Sequence, residues 1–276
     1  MDLKQWLKQA EHQLAAAGVG TARLDAVVLL EDVMGRDRAW LLAHPEAKIP
    51  TAKMRKLTNL LNRRAGHEPL AYIRGWTEFY GRDFVITPAV LEPRPESETM
   101  IDLFKALARD GRLKPNNKQK LIIADVGAGS GALGITAALE VPNIQVDLLD
   151  IDPKALKVAE MNVDKFTLNS GIIKSDLLAQ AKGGYDVLLC NLPYVPDSFQ
   201  INPAAMREPK LAIFGGPDGL DLYRKLFDQI KTLDSKPLYI LIEALPPQHA
   251  VLREIAGQAG YKIVKTDDFI QVFTTP

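Results

Sequence analysis

The sequence predicts a doubly wound, mostly parallel α/β sheet preceded by a small helical domain. Three observations carry this. From about Lys120, short apolar runs alternate with stretches of helical periodicity, the pattern of repeated strand–helix units. The first of these runs ends in a glycine-rich turn and the second in an acid. The first 74 residues show helical spacing and no strand pattern.

In chain order, Leu3, Trp6, Leu7 and Leu14 fall on one helical stripe that Gly18-Val19-Gly20 ends. Residues 24–34 form a second helix with Val27, Val28, Leu29, Leu30 and Val33 as its apolar positions and Gly35 at its stop. A third covers 51–65, with Met54, Leu57, Leu60 and Leu61 on its stripe and Thr51 as the expected N-cap. Residues 75–95 change character. Phe79, Phe84, Val85 and Ile86 flank Gly81-Arg82-Asp83 as in a hairpin, and Pro88, Pro93 and Pro95 keep the chain extended. This stretch reads as a connector, which divides the chain into 1–74, 75–95 and 96–276. Residues 114–120 read as a polar loop. Strands are then expected at 121–126, 145–149, 171–174, 185–190, 238–242, 261–264 and 270–273. Helices are expected at 132–140, 153–166, 220–233 and 248–259.

Composition narrows the function. The 276 residues include 34 Lys+Arg and 34 Asp+Glu, a balance that disfavours wrapping nucleic acid through phosphate contacts. One cysteine, Cys190, excludes an internal disulfide framework and a cysteine-based zinc cluster, and it reads as a buried strand residue. His12, His44, His67 and His249 lack metal-ligand spacing, so no metal site is expected. The N-terminus has no signal-peptide pattern and no apolar run approaches a membrane span. The expectation is a soluble, cytoplasmic monomer. Residues 1–75 carry 12 basic and 8 acidic side chains, leaving 22 and 26 for the remainder. Between Glu46 and Glu68 lie Lys48, Lys53, Arg55, Lys56, Arg63 and Arg64 with no acid. This is either a solvated helix face or a docking surface for an acidic or RNA-associated partner.

Two motifs carry chemistry. Asp125-Val126-Gly127-Ala128-Gly129-Ser130-Gly131 joins a strand to a helix. Glycines let a ligand approach the backbone, and the helix N-terminus offers free N–H groups. Asp150 ends the next strand, 23 residues after Gly127, where a carboxylate can accept from both ribose hydroxyls. The motif indicates an adenosine-containing ligand. Because Gly129 to Gly134 also satisfies the dinucleotide pattern, it leaves the cofactor type open.

The second motif is Asn191-Leu192-Pro193-Tyr194, at the C-terminal end of the fourth strand. A planar amide or exocyclic amine is a poor nucleophile, because its nitrogen lone pair is delocalised. Two fixed acceptors can hold its two N–H donors and turn the lone pair towards an incoming methyl group. The Asn191 side-chain oxygen and the Leu192 carbonyl are the candidate acceptors. Pro193 restricts Leu192 and helps aim that carbonyl, and Tyr194 offers a wall. Proline at 192 would keep the carbonyl and remove only an N–H expected to be unpaired.

On these residues the chain resembles the HemK-type (PrmC) protein-glutamine N5-methyltransferases. The resemblance runs from about Leu24 onward. It includes the stretches 63–73, 78–81 and 90–98, Glu208-Pro209, Gly215 to Asp221, Glu243 and Gln248. It implies a Rossmann-like S-adenosylmethionine (SAM)-dependent methyltransferase sheet with a small N-terminal helical domain that helps hold the substrate. The implied substrate is the glutamine of the Gly-Gly-Gln tip of peptide chain release factors. Gly127, Ala128, Gly129, Ser130 and Gly131 would line the cofactor, with Asp150 on its ribose and Leu177 near its adenine. Asn191 would touch both cofactor and substrate, and Asn191, Leu192, Pro193 and Tyr194 would grip the amide. The chain departs from the family pattern at Leu192 (Pro in the family), at Ala244 (Gly), and in 268–273, which lacks the usual Gly and Arg. Two other readings follow from the same residues: a DNA or RNA adenine or cytosine amino-methyltransferase, and a binding homologue with weakened catalysis.

Overall fold

The computed structural model describes residues 1–113 and 120–276. The loop expected at 114–120 therefore lies, apart from Lys120, outside the described residues. The chain forms two compact units: Met1–Gly75 with Ile201–Arg207, and Trp76–Gln200 with Glu208–Pro276.

The first unit is helical. Its helices are α1 (Leu3–Ala16), α2 (Ala22–Met34), α3 (Arg38–Ala43), α4 (Thr51–Ala65) and α5 (Leu70–Arg74). Asp2 and Gln5 cap α1 reciprocally, and Gly35 ends α2 at φ 65°, a conformation in which a Cβ is disfavoured. Thr51 is the first residue of α4; the cap position belongs to Pro50, which has no side-chain donor or acceptor to offer. Leu3, Trp6, Leu14, Leu29, Leu30, Leu57 and Leu61 form the core. Within it, Arg64 of α4 donates to Asp25 of α2 at 2.6 Å, so both charges are buried as a pair.

The second unit opens with an antiparallel hairpin, β1 (Trp76–Phe79) and β2 (Arg82–Val85). From Trp76 on, the stretch expected as a connector is therefore part of this unit. Then follow α6 (Glu98–Arg109), β3 (Leu121–Val126), α7 (Ala132–Glu140), β4 (Ile144–Asp150), α8 (Pro153–Lys165), β5 (Gly171–Lys174) and β6 (Val187–Cys190). After these come α9 (Asp221–Lys231), β7 (Tyr239–Glu243), α10 (His249–Gln258), β8 (Lys262–Asp267) and β9 (Ile270–Thr274). Strand order is β5-β4-β3-β6-β7-β9-β8. The first five run parallel; β9 is antiparallel to both its neighbours. Strand β6 begins two residues later than the sequence pattern suggests. Asp186, just before it, donates its N–H to the Ile122 carbonyl at 2.7 Å, and its carboxylate accepts from the Ile122 N–H at 2.9 Å. The chain moves outward from β3 to β5, returns to place β6 on the other side of β3, and continues to β7. That reversal puts the ends of β3 and β6 side by side, with Val126 opposite Cys190, and a crevice opens beyond them.

Candidate active site

Glycine conformation shapes one wall of the crevice. Gly127, Gly129 and Gly131 have φ of 74°, 55° and 79°. A Cβ at Gly127 would lie 2.9 Å from Leu192 Cδ2, so the turn after β3 and the turn after β6 pack directly. Gly131 is the N-cap of α7. Asn162 fixes the loop from behind, donating to the Ser130 carbonyl at 2.9 Å.

Asp150, at the end of β4, accepts from Gly129 N at 2.9 Å through Oδ2 and from Asp152 N at 2.9 Å through Oδ1. Burial raises its pKa, and these two backbone donors pull it back. A carboxylate has about four lone-pair sites, so beside its backbone donors it keeps capacity for a ligand hydroxyl. Asp125 ends up deeper. Burial pushes it up to about 7, against the Gly134 N–H that it accepts at 2.8 Å and with Asp150 adding repulsion. Leu177 is held at φ 54°, unusual for a bulky residue, with its carbonyl accepting from Ser175 Oγ at 2.7 Å.

The cleft is lined by Gly127, Ala128, Gly129, Ser130, Asp150, Leu177, Asn191, Leu192 and Pro193 among the residues expected from sequence. Gly131 and Tyr194 stand just outside this lining, Gly131 in the helix cap and Tyr194 behind the turn. Sequence reasoning missed Ser97, Asp125, Leu133, Ile151 and Leu211 as lining residues. Asp125 opens the glycine motif, which by itself gives this residue no role.

Behind the 191–194 turn is a polar network. Asn191 Nδ2 donates to Ser97 Oγ at 2.9 Å. The Leu192 N–H donates to Tyr223 Oη at 3.2 Å, so it is paired, contrary to the expectation above. Tyr194 Oη donates to Glu243 Oε1 at 3.0 Å, and Gln248 Nε2 donates to the Tyr194 and Asp218 carbonyls, each at 2.7 Å. Burial, then the Glu243 charge, raise the Tyr194 pKa, so its hydroxyl stays a donor. Burial also pushes the Cys190 thiol well up, which leaves no thiolate for nucleophilic chemistry.

An apolar cleft with two carboxylates suits a nucleoside that carries positive charge. The open glycine turn gives it backbone access, Asp150 suits a ribose diol, and Leu133, Ile151 and Leu177 suit a purine. S-adenosylmethionine has all these features.

Comparison with known proteins agrees. The PrmC N-terminal domain matches residues 5–75 and the Methyltransferase small domain matches residues 110–208. Among solved structures, the hMettl16 catalytic domain in complex with an RNA hairpin has a TM-score of 0.53 at 13% identity, covering 82% of each chain. It shares the fold. The chain is thus an S-adenosylmethionine-dependent methyltransferase. A release factor glutamine methyltransferase of Moorella thermoacetica is 37% identical, over 94% of this chain and 91% of its own length. One of Koribacter versatilis is also 37% identical, over 83% and 81%, and one of Coxiella burnetii is 32% identical, over 95% and 92%. The chain belongs to the release factor glutamine methyltransferase family.

Proposed function

We propose that this chain methylates the side-chain amide nitrogen of a glutamine in a peptide chain release factor, at its Gly-Gly-Gln tip. The observation that carries this reading is the tethered Asn191. Nδ2 donates to Ser97, which leaves the oxygen as the acceptor end of a side chain that lines the cleft. The Leu192 carbonyl takes no bond from another described residue and supplies a second acceptor. Together the two oxygens match the two donors of a primary amide and hold its plane.

The bound cofactor supplies an electrophilic methyl group on a sulfonium. Asn191 and Leu192 orient the nitrogen, Pro193 limits the swing of the Leu192 carbonyl, and the apolar cleft walls hold the reacting groups together. Alignment is the contribution of this turn, and the amide proton leaves to solvent.

The test is transfer of labelled methyl groups to purified release factor, to the same factor with its tip glutamine replaced by alanine, and to DNA and RNA. Label on the first alone is the expected result. Label on nucleic acid and none on the release factor would overturn the reading in favour of an amino-methyltransferase. No helix among the described residues is long and apolar enough to cross a membrane.

A further inference from the structure

Three polar tethers of the 191–194 turn converge on one residue. Tyr194 Oη donates to Glu243 Oε1 at 3.0 Å. Leu192 N–H donates to Tyr223 Oη, which itself donates to the Glu243 carbonyl at 2.5 Å. Asn191 Nδ2 donates to Ser97 Oγ, and Ser97 and Asn191 both face the Glu243 carboxyl. Glu243 is 1% exposed, and its Oε2 is buried without a hydrogen-bond partner of its own. A buried, unpaired carboxylate oxygen is costly and calls for an explanation.

Hydroxyl chemistry supplies one. Ser97 Oγ already accepts from Asn191, and its single proton needs an acceptor. Glu243 is the acceptor beside it. A serine whose proton is drawn to a carboxylate presents only lone pairs to Asn191, so Asn191 must present its NH₂ to Ser97 and its oxygen to the cleft. We propose that Glu243 is a positioning residue which, through Ser97, fixes Asn191 with its oxygen towards the substrate, and which anchors Leu192 and Tyr194 at the same time. A reversed Asn191 would offer donors to the donors of an amide. Glu243 thereby sets the preference for an NH₂-bearing acceptor. This rests on the amide-methylation reading above.

Glu243→Gln tests it with little change of volume. Glutamine keeps an oxygen for Tyr194 but has an NH₂ where Ser97 needs an acceptor. Ser97→Ala cuts the relay without touching Glu243, and serves if Glu243→Gln fails to fold. Both variants are expected to lower kcat about 10- to 100-fold, the scale of a misaligned reacting group. Cofactor Kd by calorimetry should stay within about 2-fold. The double variant should lose no more than the worse single variant, since both act on one relay. A second readout needs no acceptor protein: the Asn191 side-chain amide resonances should exchange slowly with solvent in wild type and rapidly in both variants. Unchanged exchange would overturn the relay, as would losses that multiply in the double variant. A kcat loss matched by an equal loss of cofactor affinity would likewise show a merely structural role. Absence of release factor methylation by wild type, with the Asn191 exchange effect intact, would overturn the substrate reading alone.

Discussion

Asn191 illustrates how a side chain becomes specific by being half used. Its NH₂ donates to Ser97, so the oxygen is the acceptor left for a ligand. Asn191→Ala is expected to lower single-turnover methylation about 10²- to 10³-fold, comparable to losing one fixed partner in an oxyanion hole. Full activity in that variant would sink the two-acceptor arrangement. Leu192 is the opposite case: its N–H is occupied by Tyr223 and its side chain packs against the Gly127 turn. Leu192→Pro, the residue of the family pattern, deprives Tyr223 of a donor and empties part of a close-packed contact. It should destabilise the fold by about 1–3 kcal/mol in denaturant melts and should not raise turnover. At Asp150 the same carboxylate shapes the loop and awaits the ribose. Asp150→Ala should weaken cofactor binding by roughly 1.5–3 kcal/mol in calorimetry, the scale of hydrogen bonds to a charged group.

The elements place these side chains through contacts between turns. The 215–219 turn packs so closely on the 193–194 backbone that a Cβ at Gly219 would come 2.0 Å from the Tyr194 carbonyl oxygen and 2.4 Å from Gln248 Nε2. Gly219 also sits at φ 80°. Gly219→Ala should therefore cost about 1–3 kcal/mol by overpacking and push Tyr194 out of line, which a thermal melt paired with turnover would reveal. An unchanged melt and unchanged turnover would contradict the packing. The sheet strands and the turn residues of the cleft were legible because their signals are local: apolar runs, glycines after a strand, an acid ending the next strand. The short α3 and α5 were not, since neither spans enough turns to show a periodicity. Nor was the role of Ser97 or Glu243. Ser97 meets Asn191 across 94 residues of chain and Tyr194 meets Glu243 across 49, and no spacing rule connects residues so far apart. The resemblance marked Glu243 as a position of interest, and only the fold shows what it touches.

Over the whole molecule the formal charge is zero, yet Asp125 and Asp150 line the cleft together and Glu243 is buried behind the 191–194 turn. Asp125 sits at about 7 in the folded protein because burial disfavours its charge, with repulsion from Asp150 added. Asp150 and Glu243 are raised as well, burial being the largest cause for each. An unfolded aspartate releases its proton near pH 4, whereas folded Asp125 holds it to about 7, so folding is favoured by acid across that interval. The contribution is fully present below about pH 4 and is lost as pH rises through 7. Asp218 has the opposite sign: Arg224 holds it down to about 2, so its contribution is lost only as pH falls through that value, outside the interval. The cofactor-free protein should therefore lose roughly 2–3 kcal/mol of stability from this aspartate between pH 5 and 8. Asp125→Asn keeps an oxygen for the Gly134 N–H and removes the titration. Denaturant melts of the variant should show a shallower decline over that range than wild type. Saturating S-adenosylmethionine should also flatten the wild-type decline, because a cation in the same cleft favours the ionised carboxylate. If variant and wild type decline in parallel, Asp125 does not hold its proton into the neutral range, and the acid-rich cleft does not govern the stability of the fold.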